Sequence, residues 1–332
     1  MQAFERQGEL LDLQADTWIE RRCNRAAGEA RLKAFVCYRM AWQFVAPGDC
    51  FTRLFHTSQR LFDKAMAELE LPVKRFSVPY KNGELPGHFY QSNDSFAPTV
   101  LVIGGADTCH EDRFLSQGHY YFYRGYSVAL VDLPGQGLVQ EQGLYWEPET
   151  ERPISMVIDK LISCFGVNSN RLALLGMSLG DYFACRAAAY EKRLAAVIAT
   201  PVLSCPYELF TEVAKQQKAG EAVMSDAASK NFQVVMWKAG ATDSPEPLQN
   251  WKSVVVNPST VNVPFLSVLG TQEGAVWRKQ TEEWHAAIPS SKKSLVILDA
   301  ETGADAHCQG NNPLRLAQEV DAWLSVVIGW KC

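Results

Sequence analysis

The chain has 332 residues, 47% hydrophobic and 21% charged, the balance of a globular protein long enough to bury a large core. Its net charge of -5 gives no basic footprint for nucleic acid, and no concentrated Lys/Arg block suggests binding to anionic lipid. Nine cysteines, scattered, odd in number and never in a C-x-x-C pair, argue against a metal site or a disulfide framework and for reduced thiols.

The N-terminal stretch from Met1 to Trp18 is charged and amphipathic, with no apolar signal-peptide core, and no apolar run has membrane-spanning length. The expectation is a cytoplasmic protein that leaves membranes and nucleic acids alone and is free to form a homodimer. Residues 1 to about 70 read as helical. In Arg31 to Val45 and in Phe51 to Leu69, apolar residues recur every three or four positions, with a break at Ala46-Pro47-Gly48. After Pro72 the period changes. Two short apolar or alternating runs, Val73 to Tyr80 and Pro86 to Ser92, flank Lys81-Asn82-Gly83 and predict an edge hairpin.

Six nearly continuous apolar runs then predict buried strands at 98–103, 126–132, 171–176, 194–200, 263–269 and 294–299. Helical sequence follows near 112–124, 152–166 and 179–191. This alternation predicts an α/β architecture, a mostly parallel sheet flanked by helices. Residues 204–262 are too long for an ordinary connection and predict an inserted helical lid. The expected organisation is a helical N-terminal cap over 1–72, a core over 73–203 and 263–332, and the lid over 204–262.

Gly176-Met177-Ser178-Leu179-Gly180 fits G-x-S-x-G between a predicted strand and a predicted helix. That turn exposes a serine nucleophile, and the helix N-terminus faces developing negative charge. A serine hydroxyl needs a base. His307 falls in the loop after the last predicted strand, where chain order puts the histidine. For the acid, Glu273 follows the strand ending at Leu269, with Asp305 and Asp299 as rivals. The small residues of Ile103-Gly104-Gly105-Ala106 let backbone approach a substrate oxygen, so the amides of Leu179 and Ala106, or Gly105, are candidates for an oxyanion hole. Asp132-Leu133-Pro134-Gly135-Gln136-Gly137 lacks G-K-[ST] and reads as a structural turn. Trp42, Met236 and Trp237 are candidate substrate contacts, because pockets for organic ligands are mostly apolar.

Together these segments resemble the α/β-hydrolase superfamily. The helical N-terminus, the hairpin around Lys81, Gly104-Gly105-Ala106-Asp107 and the segment from Ala306 to Leu324 resemble one branch of it. That branch holds 2,6-dihydroxypseudooxynicotine hydrolase, the fermentation-respiration-switch proteins and chain-shortening hydrolases of fungal polyketide pathways. The resemblance implies a cofactor-independent serine hydrolase, with no metal. Its small-molecule substrate would be a medium-sized organic compound with an ester, thioester or ketone-activated carbon–carbon bond. Two other readings of the residues are acyl transfer or cyclisation by the same triad, and ligand binding with the triad idle. The chain departs from the branch at Asp181, where Gly is common, and at Glu273, where Asp is usual.

Overall fold

In a computed structural model, which describes residues 1–218, 225–242 and 246–330, three long helices open the chain. They are α1 (Gln2–Glu20), α2 (Asn24–Gln43) and α3 (Asp49–Glu68). Helix α3 buries Phe51, Leu54, Phe55, Ser58, Leu61, Phe62, Ala65 and Met66, a stripe at three- and four-residue spacing. Eight strands follow: β1 (Val73–Tyr80), β2 (Gly83–Tyr90), β3 (Thr99–Ile103), β4 (Ser127–Val131), β5 (Leu172–Met177), β6 (Ala196–Thr200), β7 (Phe265–Gly270) and β8 (Lys293–Leu298). Between and after them run α4 (His110–Arg113), α5 (His119–Phe122), α6 (Glu151–Phe165), α7 (Leu179–Tyr190), α8 (Pro206–Lys218), α9 (Asp226–Lys238), α10 (Glu246–Gln249), α11 (Ala275–Ala287) and α12 (Pro313–Val327).

The chain divides into two compact units. One comprises Met1–Val73 with Val223–Trp237, the other Lys74–Ala222 with Lys238–Cys332. The first holds α1 to α3 together with most of α9, and its core includes Phe35, Trp42, Phe51, Phe55 and Phe62. The second is built on one sheet with strand order β1-β2-β4-β3-β5-β6-β7-β8. Strands β3 to β8 pair in parallel, and β2 runs antiparallel to β4. Every residue of β3, β4, β5, β6 and β7 is buried, which is why these strands read as unbroken apolar runs. This is the α/β-hydrolase architecture that the sequence predicts.

Two details differ from the simplest reading. The helix expected near 112–124 is interrupted by a wider π-helical turn, Phe114–Gly118, between α4 and α5. The expected insertion over 204–262 is divided between the units. Helix α8 packs with the sheet unit, where Gln280 of α11 accepts from the Ser204 and Cys205 amides at 2.8 and 3.0 Å. Most of α9 clusters with the N-terminal helices. No helix among the described residues is long and apolar enough to cross a membrane.

Candidate active site

The C-terminal ends of the parallel strands supply the site. Ser178 stands between β5 and α7 with φ 60° and ψ -121°, a conformation that costs an L-residue energy and persists only where its surroundings enforce it. They do so here by crowding. A Cβ on Gly180 would lie 2.5 Å from the Ile103 and Gly104 carbonyl oxygens, and one on Gly105 would lie 2.8 Å from the Ser178 Cβ. Only glycine at both positions lets the turn press against the end of β3.

His307 follows β8 and opens a tight turn in which Cys308 and Gln309 both take φ of 51°. Its Nε2 lies 3.1 Å from the Ser178 Oγ, and its Nδ1 lies 2.8 Å from Glu273 Oε2. The second Glu273 oxygen accepts from the Cys308 amide at 3.1 Å. Both carboxylate oxygens are therefore used, one to orient the imidazole and one to fix the turn that carries it. Glu273 is only 5% exposed, whereas the His307 side chain is 46% exposed. The carboxylate is shielded and the imidazole faces the pocket. The Trp277 ring packs 5.1 Å from the imidazole and limits its rotation. A carboxylate at Nδ1 favours the tautomer that carries its proton there, leaving Nε2 to accept the serine proton.

The two rival acids are otherwise engaged. Asp305 accepts from Gln272 Nε2 at 2.7 Å and from Asn311 Nδ2 at 2.9 Å, joining the loops after β7 and β8. Asp299 accepts from the Thr302 amide at 3.0 Å within its own turn. Cys308 brings a sulfur 3.5 Å from His307 Nε2, but burial, reinforced by Asp181 and Glu273, pushes its thiol well above the usual range. It stays a neutral thiol there, a poor nucleophile.

Leu179 is the first residue of α7, so its amide has no acceptor within the helix. Ala106 lies on the loop after β3, beside Gly105. Gln136 holds that loop from the segment read as a structural turn: its Nε2 donates to the Gly104 and Gly105 carbonyls at 2.5 and 3.3 Å. Sequence reading passed over Gln136, Trp277 and Cys308, since their roles depend on contacts that no local pattern encodes. A pocket of about 240 Å³ opens on Ser178 and His307, lined also by Gly105, Arg113, Met177 and Cys308.

The three expected substrate contacts belong to the helical unit. Trp42 is buried there, with its ring 5.3 Å from Phe51 and 5.4 Å from Phe55 and with the Arg39 guanidinium 4.3 Å away. Trp237 meets Phe51 edge-on at 5.7 Å, and Met236 is half-buried.

The sequence profile described as FrsA-like esterase matches residues 4–239. Among curated proteins, the hydrolase LUC6 of Fusarium sp is 35% identical over 162 residues, covering 45% of this chain and 37% of that protein. The 20-hydroxy-prefusarin hydrolase FUS2 of Gibberella moniliformis is 34% identical over 166 residues, covering 46% and 38%. These matches thus span well under half of the relatives' own length. Of solved structures, 2,6-dihydroxy-pseudo-oxynicotine hydrolase superposes with TM-score 0.73 at 20% identity, covering 98% of this chain and 88% of that one. AbyA5 superposes with TM-score 0.71 at 14% identity, covering 97% and 89%. At such identities the structural likeness speaks for the fold alone, and the profile match speaks for the family. The chain has the α/β-hydrolase fold and belongs to the FrsA-like esterase family.

Proposed function

We propose that the chain is a serine hydrolase working through an acyl-enzyme on a small to medium-sized organic molecule, opening an ester, thioester or ketone-activated carbon–carbon bond. The observation that carries this reading is the contact chain from Ser178 Oγ through His307 to Glu273, at 3.1 and 2.8 Å. His307 Nε2 takes the hydroxyl proton as Ser178 Oγ attacks the carbonyl carbon. The Leu179 and Ala106 amides, with Gly105 as the alternative to Ala106, hold the oxyanion that develops. Glu273 stabilises the imidazolium without taking its proton. As the tetrahedral intermediate collapses, His307 returns the proton to the leaving oxygen, sulfur or carbon. Water, deprotonated by the same Nε2, then releases the acid and restores Ser178. A homologue named as a 20-hydroxy-prefusarin hydrolase supports a secondary-metabolite substrate.

The test is replacement of the nucleophile and the base. Ser178→Ala and His307→Ala should each lower turnover of an activated ester by roughly 10⁴- to 10⁶-fold, with circular dichroism and melting unchanged. A fluorophosphonate probe should label the wild type and not Ser178→Ala. Near-wild-type turnover by Ser178→Ala would remove the nucleophile assignment.

A further inference from the structure

Among the polar side chains on the wall of the Ser178 pocket, Arg113 and Ser116 take no part in the proposed acyl transfer and lack strong acceptors. Arg113 closes α4, and Ser116 sits three residues on, within the π-helical turn Phe114–Gly118. Both line the same pocket of about 240 Å³ as Ser178 and His307. Among the described residues Arg113 forms no ion pair, and its recorded hydrogen-bond partner is the Met177 thioether, 3.2 Å from Nη1. A thioether is a weak acceptor. The Arg113 Nε is buried and makes no hydrogen bond, and the same holds for Ser116 Oγ. Buried donors without acceptors are rare and ask for an explanation, and here both belong to side chains on the wall of one pocket.

The backbone adds an independent sign. Side chains three positions apart on one turn lie on one face, which is how Arg113 and Ser116 reach a common wall. A widened turn inside an α-helix is uncommon and recurs at functional sites. Asp107 also lines this pocket and has interactions of its own. The guanidinium is thus the pocket's cation. Its planar fork suits an anion with two coplanar oxygens, and a neutral or cationic ligand would leave it unmatched.

We propose that Arg113 and Ser116 form an anion subsite in the hydrolase pocket, and that the substrate carries a planar oxyanion close to its scissile carbonyl. A carboxylate and the enolate of an ionised 1,3-dicarbonyl share that chemistry. The proposal rests on Ser178 being the nucleophile, since the subsite gains its meaning from the group placed next to it.

Matched esters test it. The wild type should favour p-nitrophenyl hydrogen glutarate over the uncharged p-nitrophenyl valerate in kcat/KM. Arg113→Met should reduce that preference by about ten-fold or more, the scale of a lost charge-assisted hydrogen bond, and Arg113→Lys should restore part of it. Ser116→Ala should move the ratio in the same direction by a smaller factor. It also serves if Arg113→Met fails to fold. Competitive inhibition separates the two anions: glutarate reports a carboxylate subsite, and dimedone, ionised at neutral pH, reports an enolate subsite. Calorimetry of glutarate and dimedone with Ser178→Ala reads the subsite without turnover, so a failed nucleophile and a failed subsite give different results. The proposal is overturned if the glutarate-to-valerate ratio and the affinity for both anions are the same in the wild type and in folded Arg113 and Ser116 variants.

Discussion

Asp181 lies three residues beyond Ser178, fully buried, and its chemistry differs from that of the carboxylates around it. Its amide donates to the Ser178 carbonyl at 2.9 Å, and its Oδ1 accepts from the Thr200 amide at 2.5 Å. Its other oxygen is buried without a hydrogen-bond partner. Burial holds this carboxyl well above the usual range, and the Glu273 charge adds to the effect, while the bonds from the Thr200 and Ser178 backbone oppose it. Asp181 is therefore neutral in the folded protein over a range where an unfolded chain ionises it. An unfolded Asp titrates near about pH 4. Below that pH both states are protonated, and the stabilising effect of the raised pKa is fully present. As pH rises towards the folded pKa, the unfolded state alone gives up a proton, so stability is lost. Asp181→Asn keeps an acceptor for Thr200 and cannot ionise. It should melt above the wild type at pH 8, with the gap narrowing towards pH 4. A variant that melts lower by the same margin at every pH would mean that folding does not raise the Asp181 pKa.

At the scale of elements, the loops after β7 and β8 act as one piece. The Thr271 amide donates to the Leu298 carbonyl at 2.9 Å, and the Gln272 amide donates to the Asp305 carbonyl at 3.0 Å. Asp305 sustains this junction through Gln272 and Asn311, while Glu273 meets the imidazole. Glu273→Gln puts an amide where a carboxylate faces Nδ1–H, favours the wrong tautomer and should cost about 10³- to 10⁴-fold in kcat. Asp305→Asn should cost far less activity and lower the melting temperature instead. A reversed ranking in kcat would make Asp305 the acid. Ser178, His307 and the order of strands and helices were legible because they follow local signals: apolar runs for strands buried on both faces, G-x-S-x-G at a strand-to-helix turn, a loop after the last strand. Gln136 was not, because its hold on Gly104 and Gly105 spans more than thirty residues of chain. Nor was the π-helical turn, since one widened turn hardly alters the apolar period that marks a helix. Arg113 passed unnoticed for the same reason: a cation within helical sequence reads as a solvated face until the pocket around it is seen.

Over the whole molecule, the sequence predicted one insertion, yet contacts divide it between two units. That division is set by packing between distant segments, which hydrophobic period cannot report. The helical unit has its own aromatic core and its own buried charge. Arg31, 3% exposed, pairs with Asp12 at 2.9 Å and also with Asp16 and Glu68. One guanidinium thus joins α1, α2 and α3, and removing it leaves three carboxylates facing one another. Arg31→Met keeps most of the apolar stem and deletes the charge. The cost should be about 3 kcal/mol, the low end for breaking a buried ion pair, because Asp16 remains 58% exposed and solvated. Stability is distributed in local cooperative units, so the loss should appear where the bonds were. Hydrogen exchange should show the amides of α1, α2 and α3 losing protection, while those of β3, β5 and β6 keep theirs. Residual turnover of a small activated ester should fall less than helix protection does, because Ser178, Glu273 and His307 all belong to the sheet unit. Equal loss of protection in helices and strands would mean that the two units unfold as one.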